Sequence, residues 1–215
     1  TNARTNTEYR IMSGNLFIVW APSGAGKSSL IAALLGRDGS VRQSVSFTTR
    51  APREGEVEGK HYHFVTRDVF QKMIAAGDFL EHAEVYGNFY GTSKKWIDHA
   101  MQNGFDVVME IDWQGAQQIH KIFPAIVGVF ILPPSLEVLR QRLTARGQDS
   151  AEVIARRLAS AHEDMSHLSE FDYVIINSEF ADAVSDLLAI FRSQRLKRDA
   201  QFKRNSDIIS KLIKR

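Results

Sequence analysis

The residues with the clearest chemical purpose form the stretch APSGAGKSSL at positions 21–30. It matches the phosphate-binding pattern G-x-x-x-x-G-K-[ST], except that alanine replaces the first glycine. The apolar run Leu16–Trp20 precedes it with the length of a strand, and a helical pattern follows over residues 28–35, ending at Gly36. A loop in this setting points backbone N–H groups and the positive end of a helix dipole at bound phosphates. The sequence therefore predicts a site for a nucleoside triphosphate.

Two side chains in this loop have specific tasks. Lys27 is placed to reach the β- and γ-phosphates of ATP, and the Ser28 hydroxyl is placed to ligate the accompanying Mg²⁺. The first position mainly needs a small residue for the turn, so Ala21 is an acceptable substitute for glycine. The expected ATP-binding residues of the loop are Ala21, Pro22, Ser23, Gly24, Ala25, Gly26, Lys27, Ser28 and Ser29.

Arginines in two places could supply the positive charge that phosphoryl transfer needs around the migrating group. Arg50 and Arg53 lie in a polar loop, and Arg142, Arg146 and Arg157 lie in two predicted helices joined at residues 147–149. The predicted N-cap at Ser150 begins the second of these helices. We expect a lid that carries arginines and closes over ATP. The alternative is a set of surface arginines without a role, but the phosphate loop favours the lid.

The elements that must position these residues follow an alternating pattern. Strands are predicted at residues 44–47, 61–65, 79–90, 106–111, 126–132 and 173–177, with helices between most of them. This order is typical of an α/β fold of the P-loop NTPase type, with a parallel sheet covered by helices on both faces. Ligands of such sheets bind at the carboxyl ends of the strands, where the loop at Ala21 and the acids Glu110 and Asp112 both fall.

Five segments make up the expected organisation. Residues 1–14 are a polar leader, either flexible or a cloning remnant. Residues 15–43 and 94–192 form the core domain, and the lid is expected at about residues 140–165. Residues 44–93 form an inserted mixed α+β subdomain, with a helix capped by Thr66 and ended by Gly77 and a turn at Gly87-Asn88. Residues 193–215 form a basic C-terminal helix or tail.

The composition narrows the class of protein. A chain of 215 residues, with 44% hydrophobic and 24% charged residues, is long enough for one domain with insertions. No apolar run approaches membrane-spanning length, and the first fourteen residues lack the apolar core of a signal peptide, so no membrane partner is expected. The absence of cysteine excludes disulfides and thiolate metal sites, and it fits a cytoplasmic location.

The charge and the histidines point to no further site. The formal net charge is +2, yet nine Lys or Arg residues against two Asp residues lie from Arg192 onward. A solvated terminal helix explains this segment better than nucleic-acid binding does, so nucleic acid is not an expected partner. His61 and His63 share a predicted strand face, but no third ligand stands at a spacing typical of a metal site.

Four segments together resemble a known family. They are APSGAGKSSL at 21–30, SFTTRAPREGEVEGKHYHF at 46–64, NFYGT at 88–92 and EIDWQG at 110–115. In this order and at this spacing they closely resemble guanylate kinase, over about residues 16–188, and alanine at position 21 is familiar in its bacterial members. The resemblance implies the reaction ATP + GMP = ADP + GDP with Mg²⁺, hence purine nucleotide metabolism and GMP recycling.

The resemblance also implies roles for single residues. It assigns the phosphate of GMP to Arg50, Arg53, Tyr62 and Tyr90. It assigns guanine to Ser46, Glu81, Thr92 and Asp112, with Glu56 organising this site. It assigns ATP and Mg²⁺ to Lys27 and Ser28, with Glu110 and Asp112 near the water shell of the metal. It places Arg142, Arg146 and Arg157 in the lid. It places Asn177 near the adenine of ATP. The expected catalytic residues are Lys27, Arg50, Arg142, Arg146 and Arg157.

Three alternatives stay open at this point. A kinase of ribose bisphosphate would share the phosphate loop without a guanine site, which the set Glu81, Tyr90 and Thr92 disfavours. A non-catalytic guanylate-kinase-like interaction module would typically lack Lys27 or the lid arginines, which this chain keeps. Glu81 itself could be a strand residue that faces solvent. The oligomeric state is open, with a homo-oligomer as one option.

Overall fold

The computed structural model describes residues 14–85, 87–111, 113–145 and 150–213, and its strands form two sheets. Five parallel strands form the core sheet in the order β2-β7-β1-β8-β9, and a smaller sheet has the order β4-β3-β6-β5. The strands are β1 (Leu16–Trp20), β2 (Val41–Gln43), β3 (Phe47–Thr48), β4 (His63–Phe64), β5 (Phe79–Val85), β6 (Asn88–Ser93), β7 (Asp106–Met109), β8 (Val127–Leu132) and β9 (Tyr173–Ile176).

Helices cover both faces of the core sheet. They are α1 (Lys27–Arg37), α2 (Arg67–Ala76), α3 (Lys94–Gln102), α4 (Trp113–Ile122), α5 (Leu136–Ala145), α6 (Ala151–Ser166), α7 (Phe180–Leu196), α8 (Arg198–Arg204) and α9 (Ser206–Ile213), with a 3₁₀ turn at Leu168–Glu170. None of the described helices has the length and apolar character that crossing a bilayer requires.

The central strand β1 shows why the sheet is buried on both sides. Phe17 and Val19 point to the face covered by α1 and α7, where the ring of Phe17 stacks on Phe191 with centroids 3.6 Å apart. Leu16 and Ile18 point to the opposite face, which α3 and α4 cover. An apolar strand without polar alternation is typical of a parallel sheet covered on both faces, so the predicted α/β fold is confirmed.

The smaller sheet lies between residues 47 and 93 and packs against α2. The rings of Phe70, Phe79 and Phe89 stack in its core, with centroids 4.5 and 5.5 Å apart. The hydroxyl of Thr66 accepts a hydrogen bond from the N–H of Val69, so the predicted cap of α2 is confirmed. This sheet carries β5 and β6, which hold several of the predicted site residues.

Two predicted elements differ from the structure, and one strand was not predicted. Helix α1 continues through Gly36 to Arg37, because this glycine has an open, exposed position where it costs only about 1 kcal/mol relative to alanine. The strand predicted at 44–47 begins at Phe47 instead. The edge strand Val41–Gln43 was not predicted, because three residues are too few to show the alternation of apolar and polar side chains that is typical of a strand. The basic C-terminal part, expected as a helix or tail, forms helices α8 and α9 after the long α7.

Candidate active site

The loop between β1 and α1 has a shape that only glycine permits at two positions. Gly24 and Gly26 have φ of 94° and 99°, in the left-handed region. A Cβ atom at Gly26 would lie 2.4 Å from Nδ2 of Asn177, so the loop also packs too closely for a side chain there. The side-chain amide of Asn177 donates to the carbonyl of Ala25 over 2.8 Å, which fixes the loop from behind.

Arg142 strengthens the same support. Its Nη1 contacts the carbonyl of Ala25 at 3.4 Å, and its Nη2 donates to the carbonyl of Asn177 at 3.0 Å. Arg142 was predicted to act in the lid, and Asn177 was predicted to lie near the adenine. The structure places both side chains against the backbone of the loop, where Asn177 is buried, and their roles in the lid and near the adenine stay predictions.

A charged cluster forms where the loop meets the end of β7. Oε1 of Glu110 lies 3.1 Å from the Lys27 ammonium and 3.1 Å from the Ser28 hydroxyl, while Oε2 accepts from Gln43 at 3.3 Å. The Lys27 ammonium also lies 5.3 Å from the centre of the Trp20 ring. A carboxylate and a hydroxyl side by side are hard oxygen ligands, which suit Mg²⁺.

A cavity of about 690 Å³ opens in front of this cluster. Its walls come from three parts of the chain: the phosphate loop with Glu110 and Gln114, the strand β5 through Glu84 and Val85, and the helix α6. A large concave pocket where separate elements converge on polar groups is the usual form of a ligand site. The same cavity is therefore bordered by the phosphate loop, by the smaller sheet and by helix α6, which follows the predicted tip of the lid.

Helix α6 presents one polar face to this cavity. Arg157, Ser160 and Asp164 line it, at a spacing that places them on the same side of a helix. Nη1 of Arg157 reaches the hydroxyl of Ser23 at 3.5 Å. Burial raises the pKa of Asp164 above its usual value, and the charge of Lys27 partly offsets this. Ser160 and Asp164 were missed from the sequence, although their helical spacing from Arg157 would have found them.

A chain of polar groups, buried at Glu81 and Thr92 and half-buried at Ser46, crosses the smaller sheet. Glu81 and Thr92 are directly paired across β5 and β6, and the Thr92 hydroxyl donates to Oε1 of Glu81 over 2.6 Å. The Ser46 hydroxyl lies 3.2 Å from that of Thr92. Only 4% of Glu81 is exposed, so the alternative that this residue faces solvent is wrong. A buried carboxylate needs hydrogen-bond donors, which makes this position suited to a ligand rich in N–H groups.

Arginine, glutamate and tyrosine side chains gather beside this sheet. Nη2 of Arg50 lies 2.7 Å from Oε1 of Glu56, whose other oxygen accepts from the backbone N–H of Arg53 at 2.7 Å. The Arg50 hydrogen bond is the main cause that lowers the pKa of Glu56 to about 2, so this carboxylate stays ionised. The Arg50 guanidinium lies 5.4 Å from the ring of Tyr62, which meets the ring of Tyr90 edge-on at 5.9 Å.

The remaining predicted residues fall outside these clusters. The side chain of Arg53 is exposed. Asp112 and Arg146 lie outside the described residues, so their predicted roles stay predictions. Within the Arg50 cluster, by contrast, burial raises the pKa of the Tyr62 hydroxyl, so this phenol is neutral and able to donate a hydrogen bond.

Comparisons with known proteins agree on one family. The family model described as guanylate kinase matches residues 13–194. The guanylate kinase of Methylobacillus flagellatus is 55% identical over 202 residues, covering 94% of this chain and 100% of the relative. That of Thiobacillus denitrificans is 58% identical over 193 residues, covering 90% and 92%. The crystal structure of guanylate kinase from Anaplasma phagocytophilum superposes with a TM-score of 0.73 at 35% identity, covering 88% and 90% of the two chains.

Proposed function

The chain belongs to the guanylate kinase family, and we propose that it transfers the terminal phosphoryl group of ATP to GMP, giving ADP and GDP. One observation carries this proposal. Strand β5 holds the buried Glu81 and also supplies Glu84 and Val85 to the wall of the cavity that the phosphate loop opens into. One short strand therefore links the carboxylate that we propose binds guanine with the cavity in front of the phosphate loop.

At the ATP end, we assign phosphate binding to the loop backbone and Lys27. The Lys27 ammonium would exchange its contact with Glu110 for the β- and γ-phosphates, since a phosphate carries more negative charge. Ser28 and Glu110 would hold Mg²⁺, with Asp112 acting through water. The ion, when bound, neutralises charge on the β- and γ-phosphates. Asn177 would hold the loop through the carbonyl of Ala25 throughout, and Arg142 would exchange its contact with this carbonyl for the phosphates when the lid closes.

At the GMP end, we assign guanine recognition to Glu81, Thr92 and Ser46. A carboxylate accepts from both the N1–H and the exocyclic amine of guanine, whereas adenine has no proton at N1. We assign the GMP phosphate to Arg50, Arg53, Tyr62 and Tyr90, because guanidinium groups and phenol hydroxyls are strong donors to a dianion. Glu56 holds the Arg50 fork in place for this task.

The transfer itself needs no general base in this proposal. The acceptor phosphate oxygen is already ionised near neutral pH, so alignment and positive charge do the remaining work. Arg157, which already contacts the loop through Ser23, would bring its charge onto the migrating group, together with Arg142 and Arg146. We place this activity in the cytoplasm, where both substrates are available.

A coupled assay of ADP release tests the proposal. GMP, AMP, dTMP and a ribose bisphosphate are offered in turn as acceptors, with Mg²⁺ and ATP held constant. We expect turnover with GMP and roughly 10² to 10⁵ times less with AMP, because the unpaired Glu81 penalises adenine. A preference for ribose bisphosphate would support the alternative kinase. An absence of turnover with any acceptor would support the interaction module.

A further inference from the structure

The aromatic ring of Trp20 lies beside the lysine of the phosphate loop. Trp20 is the last residue of β1 and Lys27 is the first residue of α1, so the loop between them has one of these side chains at each end. The Lys27 ammonium lies 5.3 Å from the centre of the Trp20 ring, within the roughly 6 Å that a cation–π contact allows. This contact therefore joins the two ends of the loop.

The strand sets the direction of the Trp20 side chain. Successive side chains of a strand point to opposite faces of the sheet, and Leu16 and Ile18 point to the face that α3 and α4 cover. Trp20 continues this alternation and lines the cavity in front of the loop, as Glu110 and Gln114 do. The ring is therefore held by the sheet at the wall of the cavity that we assign to ATP.

The polar atom of the indole does not explain why a tryptophan stands at this position. Nε1 of Trp20 is buried and has no hydrogen-bond partner among the residues that the structure describes. A buried N–H group without a partner destabilises the folded state, and a phenylalanine would avoid that loss. Among aromatic rings, however, that of tryptophan attracts a cation most strongly. The contact with Lys27 is thus the property of Trp20 that a phenylalanine would reproduce least well.

Two neighbours of the Lys27 ammonium act differently when ATP binds. Glu110 lies 3.1 Å from the ammonium and carries a charge, so it competes with the phosphates for this cation. The face of an aromatic ring attracts a cation through its quadrupole and carries no net charge. Trp20 can therefore keep its contact while the ammonium binds phosphate, and the full positive charge stays available to the phosphates.

The surroundings of the contact increase its strength. The side chain of Lys27 is 19% exposed, and Trp20 is half-buried. The attraction between a cation and a ring grows when water is removed from the cation. The long and flexible lysine side chain would otherwise sample many positions in the open cavity. Loss of the ring should therefore have a measurable effect on where the ammonium lies.

We propose that Trp20 is a positioning residue for phosphoryl transfer, whose indole face holds the Lys27 ammonium at the wall of the cavity. This inference rests on the proposed binding of ATP at the phosphate loop, and it adds to that site a residue that precedes the loop. Without the ring, the Lys27 charge would lie against the β- and γ-phosphates for a smaller fraction of the time. ATP affinity and turnover would then fall, while GMP binding would stay unchanged.

Fluorinated tryptophans at position 20 test the proposal. Site-specific incorporation of mono-, di-, tri- and tetrafluorotryptophan withdraws electrons from the ring face step by step and changes its shape little. Calorimetry measures the affinity of each protein for ATP with excess Mg²⁺ and without GMP. We expect the affinity to fall with each added fluorine, by about three- to tenfold over the series. The same series at Trp96, which is 37% exposed in α3, is the matched control and should leave the affinity unchanged.

Substitutions show whether the effect passes through Lys27. Trp20→Leu should weaken ATP binding by about five- to thirtyfold, and Trp20→Phe should weaken it less, because the phenyl ring keeps part of the attraction. KM for GMP should not change in either variant. Lys27→Met keeps most of the stem and removes the charge, so Trp20→Leu and the fluorine series should have no further effect on ATP affinity in that background. Thermal unfolding shows that each variant is folded.

Three results would overturn the proposal. Equal ATP affinity across the fluorine series at position 20 would do so, since Trp20 would then contribute packing alone. A dependence on fluorine that persists in Lys27→Met would also do so, because the ring would then contact ATP itself. A parent protein that binds no ATP would overturn the proposed function together with this inference. A flat fluorine series in a parent that phosphorylates GMP would overturn this inference alone.

Discussion

The ATP end and the GMP end of the site are built in different ways. At the ATP end, the backbone of a continuous loop does most of the work, and Gly26 allows Asn177 to approach closely from behind. At the GMP end, side chains from separate strands do the work, as in the pair Glu81 and Thr92 across β5 and β6. One end is defined by local conformation and the other by long-range pairing.

This difference has a chemical reason. A triphosphate offers many equivalent oxygens, which backbone N–H groups and one lysine can bind without reading a pattern. Guanine differs from adenine only in the donors and acceptors at its edge, so it requires side chains of defined hydrogen-bonding character. Changes at the ATP end should therefore reduce turnover with every acceptor. Changes at the GMP end should alter the choice of acceptor.

The largest expected effect comes from Lys27→Ala. We expect kcat to fall at least about 10³-fold, because the charge on the β- and γ-phosphates loses its nearest cation. GMP affinity, measured by calorimetry, should stay within about twofold, since Lys27 lies on a different element from Glu81. The matched control Lys72→Ala, on the exposed side of α2, should leave both quantities unchanged. A comparable loss of GMP affinity in Lys27→Ala would contradict the separation of the two ends.

The same contrast explains what the sequence could and could not predict. The loop was predictable from residues alone, because strand, glycines and helix are contiguous in the chain. Glu81 and Thr92 are eleven residues apart and meet only through strand pairing, so they were found by family resemblance. The support of the loop by Asn177, 152 positions from Ala25, depends on how β9 sits beside the core, so it could not be read from the sequence. The predicted place of Asn177 near adenine stays a prediction.

Glu81→Gln should give the next largest effect. Glutamine keeps the shape but aims a donor at the donors of guanine, and a bidentate base contact is worth roughly 1–3 kcal/mol. We expect kcat/KM for GMP to fall by about ten- to a hundredfold and the ratio of GMP to AMP activity to shrink. The control Glu137→Gln, an exposed carboxylate at the start of α5, should behave as the parent. Parental kinetics with both acceptors in Glu81→Gln would remove guanine recognition from this residue.

Asn177→Ala tests whether the ATP end depends on loop shape. Loss of the hydrogen bond to the Ala25 carbonyl should cost about 1 kcal/mol, so kcat/KM for ATP should fall roughly five- to tenfold. KM for GMP should not change, because this side chain touches only the loop side of the site. Steady-state kinetics with each substrate varied in turn would measure both. A change confined to GMP would show that the two ends are not separable in this way.

The smallest expected effect concerns pH and the pair of Arg50 and Glu56. Because Arg50 lowers the pKa of Glu56 from 4.5 to about 2, the ionised pair stabilises the folded state above about pH 4.5. This contribution should shrink as the pH falls from 4.5 through 2, since the folded carboxylate is then protonated as well. Glu56→Gln should therefore lower the free energy of unfolding by about 1 kcal/mol at pH 7 and pH 5, and by less at pH 3. Urea unfolding of both proteins at these three pH values measures the difference. If the difference in the free energy of unfolding between the two proteins stays constant down to pH 3, Arg50 is held in place by other groups. The GMP end would then depend less on the pair of Arg50 and Glu56 than the structure indicates.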